Sequence, residues 1–237
     1  MSSVRRMPFW QLGWRNLWRD VRSGELGMLV LAVLLAVAAL TAVAFFSDRL
    51  DRALQRDAAQ LLGGDVVVSA DYAIPAAFIE QAEALGLRHA QTLTFPTMAR
   101  VAPEQGMAAR LVSLKAVDQG YPLIGQLRVS EDPAWQNGMP DHGLAQGPAA
   151  GEAWAEPALF DALGLRPGDT LMLGESAFRL SRVLTLEPDQ GNSLVSFAPR
   201  VMIPMADLAA TELVQPASRI RYRLPLAGPE AAVQAYV

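Results

Sequence analysis

The sequence has no cysteine, one lysine and two histidines in 237 residues, and each scarcity removes a class of function. Without cysteine there is no disulfide framework and no thiolate metal site. The absence also fits an exported domain that avoids unwanted thiol pairing. With two histidines, a hydrolase triad would have to use His89 or His142, and neither sits in a partner pattern. No G-x-x-x-x-G-K-[ST] occurs, and Lys115, the sole lysine, has no glycine-rich approach, which excludes ATP binding through a phosphate loop. Gly174-Glu175-Ser176-Ala177-Phe178 resembles a nucleophile elbow only until Phe178, which stands where the second glycine must be. His142 lies near Asp141 and Glu152 in sequence, but without metal-ligand spacing, so the stretch reads as a solvated turn. Trp135 and Trp154 read as packing residues and not as a ligand cage. The expectation is a chain with no catalytic, cofactor-binding or metal-ligating residue, and not an enzyme.

What the sequence does have is apolar length and a lopsided charge. It is 51% hydrophobic with a mean hydropathy of +0.19, high for a soluble domain. Residues 1–25 carry Arg5, Arg6, Arg15, Arg19 and Arg22 against Asp20 and Glu25. Residues 26–46 carry no charge, and 47–237 carry 15 basic and 22 acidic side chains. An acidic main domain repels phosphate, so nucleic acid is not an expected partner.

The neutral run 26–46 has Thr41 as its only hydroxyl. A helix rising 1.5 Å per residue over that length matches a hydrocarbon core of about 30 Å. Arginines before it and an acidic domain after it place the N-terminus in the cytoplasm and the main domain outside. A cleaved signal peptide is the competing reading, since Ala42-Val43-Ala44 supplies a small-x-small site. The 25 residues before the run and the run's own length argue against it. Within 1–25, Trp10, Trp14, Leu17, Trp18 and Val21 fall on one helical stripe, with Arg15, Arg19 and Arg22 largely off it. That is an amphipathic helix lying in the interface, either as a plain anchor or as a surface for a cytoplasmic partner.

The helical pattern continues beyond the span. Residues 47–62 contain neither glycine nor proline, Leu50, Leu54, Ala58 and Leu61 form a narrow stripe, and Asp48 and Arg52 are spaced for an i,i+4 pair. Gly63-Gly64 supplies the C-terminal cap. The spacing predicts a stalk over 47–64 continuous with the span, its helical part about 24 Å long.

From Asp65 the period changes to that of strands. Strands are expected at 65–69, 92–101 and 109–117, with a helix from Pro75 to Leu85 between the first two. This β-α-β-β order points to an α+β layer. Residues 121–151 are dense in turn formers, and a short helix at 157–163 precedes strands near 170–173 and 178–186. The stretch 121–195 therefore reads as a β-rich subdomain inserted into an α+β core of 65–120 and 196–237. The core resumes with a strand at 200–203, a short helix from Pro204 to Ala210, a strand at 218–226 and a last helix from about Glu230. The chain ends about two turns into that helix, and we expect it to be the N-terminal portion of a longer protein.

This order of elements resembles the FtsX-like permeases of type VII ABC transporters, the group that includes MacB and LolC-type proteins. The resemblance rests on Leu62-Gly63-Gly64-Asp65-Val66-Val67-Val68 in its place after the stalk. The YbbP-type branch is suggested by Lys115-Ala116-Val117-Asp118-Gln119-Gly120-Tyr121-Pro122-Leu123-Ile124-Gly125, Leu163-Gly164-Leu165-Arg166-Pro167-Gly168-Asp169, Ala198-Pro199-Arg200-Val201 and Leu213-Val214-Gln215-Pro216-Ala217-Ser218-Arg219. It implies a MacB-like periplasmic core domain anchored in the bacterial inner membrane, further transmembrane helices, a separate cytoplasmic ABC ATPase subunit, a periplasmic acyl-esterase partner and contact with membrane lipid. It further implies mechanotransmission, the coupling of cytoplasmic ATP hydrolysis to periplasmic work on hydrophobic or lipid-like molecules. Two other readings stay open: a signalling or scaffold protein that activates a periplasmic hydrolase, and a single-pass anchored binding module.

Overall fold

A computed structural model of the chain describes residues 13–14, 18, 25–189, 198–215 and 218–237. The described part divides into two units, 1–55 and 56–237. In the first, Trp14 and Trp18 are helical and exposed; the rest of the amphipathic stripe of 1–25 lies outside the described residues.

Helix α1 runs without interruption over Glu25–Leu62, a stretch with no proline and with a glycine only at Gly27, in its first turn. It is long and apolar enough to cross a membrane over Gly27–Leu54. Its apolar side chains lie bare, Met28 at 80% exposure and Phe46 at 69%. Side chains of that kind on every face belong in hydrocarbon. Thr41 returns its hydroxyl to the Val37 carbonyl at 2.7 Å, which satisfies the one polar side chain of the neutral run inside the helix itself. Arg52 and Asp48 form the expected i,i+4 pair at 3.1 Å.

Among the described residues, the second unit is built on one sheet of eleven strands. Its strands are β1 (Val66–Ala70), β2 (Arg88–His89), β3 (Thr92–Val101), β4 (Ala109–Val117), β5 (Leu127–Ser130), β6 (His142–Leu144), β7 (Glu152–Ala155), β8 (Thr170–Leu173), β9 (Ser176–Leu186), β10 (Arg200–Pro204) and β11 (Arg221–Ala227). Helices α2 (Ala76–Ala84), α3 (Pro157–Leu163), α4 (Met205–Leu208) and α5 (Glu230–Tyr236) join them. The fold is α+β, as the order of elements implies.

The hydrogen bonding adds a feature that an open layer does not have. Strands β3, β4, β10, β7, β9 and β8 pair in turn, and β8 pairs back to β3, which closes a six-stranded ring. Alternate residues point inward, as a closed sheet requires. Phe95, Val112, Leu114, Leu171, Leu173, Phe178, Leu180, Val201 and Ile203 fill the interior with Leu159 and Phe160 of α3. Within 121–189 lie β5 to β9, which pair into the same sheet as the flanking strands. The two parts of the sequence meet at β10, which runs parallel to β4 on one side and antiparallel to β7 on the other, and again where β8 pairs with β3.

A second apolar cluster packs Tyr121, Leu127, Val129, Leu184 and Trp154 against Val117 and Met202. A third seats Val66 and Val68 of β1 with Leu224 and Leu226 of β11 under α2 and α5.

Candidate functional site

The chemistry of the second unit is concentrated in a group of charges buried near the foot of α1. The helix ends at Leu62, and Gly63 follows with φ of +73°, a left-handed conformation that glycine adopts at no steric cost. Neither glycine of the pair is a mere spacer. A Cβ on Gly63 would stand 2.9 Å from Cβ of Asp189, and one on Gly64 would stand 2.9 Å from the Leu226 carbonyl oxygen of β11. Asp65 then fixes the entry into β1: its amide donates to the Leu226 carbonyl at 2.8 Å, and its carboxylate accepts from the Gly228 amide at 3.0 Å.

Asp189 belongs to the segment Glu187-Pro188-Asp189 that leaves β9, and it faces Lys115 of β4. The Lys115 ammonium has three protons and three acceptors. It donates to Asp189 Oδ1 at 2.8 Å, to the Tyr121 hydroxyl at 2.9 Å and to Glu187 Oε1. It also lies 4.3 Å from the centre of the Tyr121 ring. The Tyr121 hydroxyl in turn donates to Asp189 Oδ1. Arg200, at the start of β10, places Nε 3.3 Å from Glu187 Oε2 and hydrogen-bonds Ser113. Arg223 of β11 reaches Asp189 Oδ2 at 3.1 Å and the carbonyl of Leu62 at 3.3 Å.

Three cations and two carboxylates thus share one site, and Lys115, Glu187 and Asp189 are almost wholly buried. Burying a charge is costly unless it is paired; each of these is, although Glu187 Oε2 and Arg200 Nε face one another at 3.3 Å as an ion pair without a hydrogen bond. Burial pushes the Asp189 carboxyl up, but the charge and hydrogen bond of Lys115 outweigh it. With help from Tyr121 and Arg223 they hold Asp189 below its ordinary value. Burial first, and then the two carboxylates, push the Tyr121 phenol well above its ordinary value, so at neutral pH it is a donor. Arg223 adds a cation at the C-terminal end of α1, where the last carbonyls lack intrahelical partners. Through Arg223 the Leu62 carbonyl is linked to Asp189, and through Asp189, Lys115, Glu187 and Arg200 to β4 and β10.

The residues weighed from sequence are scattered elsewhere. Ser176 opens β9 in a tight hairpin with Leu173, so Gly174–Glu175 is a β-turn and not a strand-to-helix elbow. His89 meets Glu83 at 3.2 Å. His142 is exposed near Arg182, while Asp141 beside it is held by Arg128 and Thr185, whose hydrogen bonds push its carboxyl down to about 2. Glu152 lies on β7, and among the described residues no cluster of three metal-ligating side chains occurs. Trp154 is buried with its indole donating to Ser181, whereas Trp135 bonds its own loop at Met139. The buried charges themselves escape sequence reading, because Lys115, Glu187, Asp189, Arg200 and Arg223 are spread over the length of the domain. One signal was available: the chain's single lysine sits in the apolar strand LVSLKAV, where a charge needs a partner.

Residues 26–236 match the profile of the MacB-like periplasmic core domain, and the chain belongs to that family. Among individual proteins it is 33% identical over 222 residues to an uncharacterized ABC transporter permease, YbbP, of Escherichia coli strain K12. That alignment takes in 94% of this chain but 26% of the relative, so the chain spans about a quarter of that permease's length. Among solved structures, the extracellular domain of the noncanonic ABC-type transporter YknZ from Gram-positive bacteria aligns with 66% of this chain and 76% of its own, at 10% identity and a TM-score of 0.42.

Proposed function

We propose that this chain is the membrane-anchored core of an ABC permease subunit, in which α1 carries motion from a cytoplasmic ATPase to the domain of residues 65–237. The N-terminus lies in the cytoplasm and the domain in the periplasm, as the arginine bias around 26–46 argues. The work done there is on hydrophobic or lipid-like molecules, with a periplasmic acyl-esterase as a further partner. One observation carries the reading. An unbroken helix that leaves the apolar run ends at Leu62, and that carbonyl is bound into a buried ionic group by Arg223. A tether built only to hold a domain near a membrane needs neither feature; flexible linkers are rich in glycine and serine. The family match and the similarity to a named permease support the same reading.

The product purified from detergent-solubilised inner membranes through an affinity tag should bring with it a subunit bearing ABC-type ATPase motifs and hydrolysing ATP. Recovery of the intact product without any ATPase, from membranes in which it is functional, contradicts the proposal.

A further inference from the structure

Strands β4 and β10 run parallel, and their last paired residues are Val117 and Pro204. Beyond that pair the chains part, one into the turn at Asp118 and Gln119 and the other into α4. A crevice of about 580 Å³ opens there, a size that holds a small organic molecule. Its third wall is the strap of residues 146–150 that leads into β7. The carboxyl ends of parallel strands are a common place for ligands, because the outgoing loops diverge. Neither strand is an edge of the sheet: β4 lies between β3 and β10, and β10 between β4 and β7.

The walls are held before anything binds. The Gly151 amide donates to Asp207 Oδ2 at 2.7 Å, which pins the strap to α4, and the Glu152 amide donates to the Ala149 carbonyl at 3.0 Å. The Asp118 amide donates to the Gln91 carbonyl at 3.0 Å. A Cβ on Gly147 would stand 2.9 Å from Cγ2 of Val117, so glycine lets the strap close onto the end of β4. The surface is mostly apolar, with Val117, Pro148, Pro204, Met205 and Ala206. Among the described residues that line it, half-buried Asp118 is the one ionisable side chain. Its Oδ1 accepts from the Gln119 amide at 2.6 Å, while Oδ2 has no partner among the described residues.

We propose that this crevice binds a small organic cation, an ammonium group on an apolar body, with Asp118 as its counter-charge. The apolar walls take the hydrocarbon out of water, and the free carboxylate oxygen accepts the ammonium in a charge-assisted hydrogen bond. A ligand bearing carboxylate or phosphate meets Asp118 with no cation in the lining to offset the repulsion, so charge is the basis of choice. The inference is independent of the proposed transport role, because it uses the crevice alone.

The test uses the whole chain in lipid nanodiscs, its methionine methyl groups isotopically labelled. Three probes of similar shape are added in turn: para-fluorophenethylammonium, para-fluorophenethyl alcohol and para-fluorophenylpropionate. Fluorine NMR reads binding, and the Met205 methyl signal, assigned through Met205→Leu, reports where it occurs. The ammonium should bind saturably in the millimolar range or tighter and shift Met205. The alcohol should bind at least about tenfold more weakly, and the propionate not at all. Asp118→Asn keeps an acceptor for the Gln119 amide; it should weaken the ammonium by at least about tenfold and leave the alcohol unchanged. Ala206→Trp, at an exposed position, should fill the crevice and abolish binding without altering the circular dichroism. Equal binding of the three probes, no saturable binding of the ammonium, an unmoved Met205 signal, or an affinity indifferent to either substitution would each overturn the inference.

Discussion

Lys115 is the residue on which the buried charges turn, since it alone touches Tyr121, Glu187 and Asp189 together. Replacing it with methionine keeps the length of the side chain and removes the one cation that joins the two carboxylates, leaving Glu187 only Arg200 and Asp189 only Arg223. The expected cost is about 3–5 kcal/mol, the usual consequence of removing one partner of a buried pair. Urea unfolding of the purified chain reads it, and a loss under about 1 kcal/mol would show that the site is solvated. Asp189 gives the pH dependence. Its native pKa is held below the unfolded value near 4, so its contribution is present above that pH and disappears as pH falls through the native pKa. The gap in stability between the native sequence and Asp189→Asn should therefore narrow as pH falls from about 5 to about 2. A gap that stays constant over that range contradicts the assignment. Beyond the single lysine in an apolar strand, this was not legible beforehand, because a charge cluster assembled from positions 72 and 74 residues apart leaves no local pattern.

At the scale of elements, the parts legible in the sequence are those with a full period or a strong boundary. The hairpin of β3 and β4 coincides with the expected 92–101 and 109–117, since both strands are long and a proline and glycine turn separates them. Helix α3 runs from Pro157 to Leu163 and stops at Gly164, whose φ is +65°, because proline and glycine mark its two ends. Strands β2, β5, β6 and β7 are two to four residues long and were not anticipated. A strand that short carries barely one cycle of alternation, and β5 and β6 lie inside the stretch richest in turn formers. Closure of the ring was equally hidden, being a matter of which strand β8 finds on its far side. The glycine pair after α1 was anticipated as a cap and proves to be a contact as well. Gly64→Val would drive a branched side chain into the Leu226 carbonyl and should destabilise the β1–β11 pairing. Amides 66–70 should then exchange at least about tenfold faster, whereas unchanged protection would mean that the backbones can separate freely there.

For the molecule as a whole, the proposed function makes α1 the element that passes motion through a membrane. Its central claim is that α1 acts as a stiff element between span and domain. Ala53→Pro tests it most directly, because proline inside a helix removes a hydrogen bond and costs about 3 kcal/mol. The substitution lies outside the unit of residues 56–237 and should leave that unit folded. Gln55→Ala keeps the helix and serves as the control. The measurement is ATP hydrolysis and periplasmic output, assayed in the same membranes with the full-length subunit and its ATPase. The account predicts that the proline variant hydrolyses ATP but loses its output, while the alanine variant keeps both. Full periplasmic output from Ala53→Pro would contradict it, and would leave the helix as a spacer.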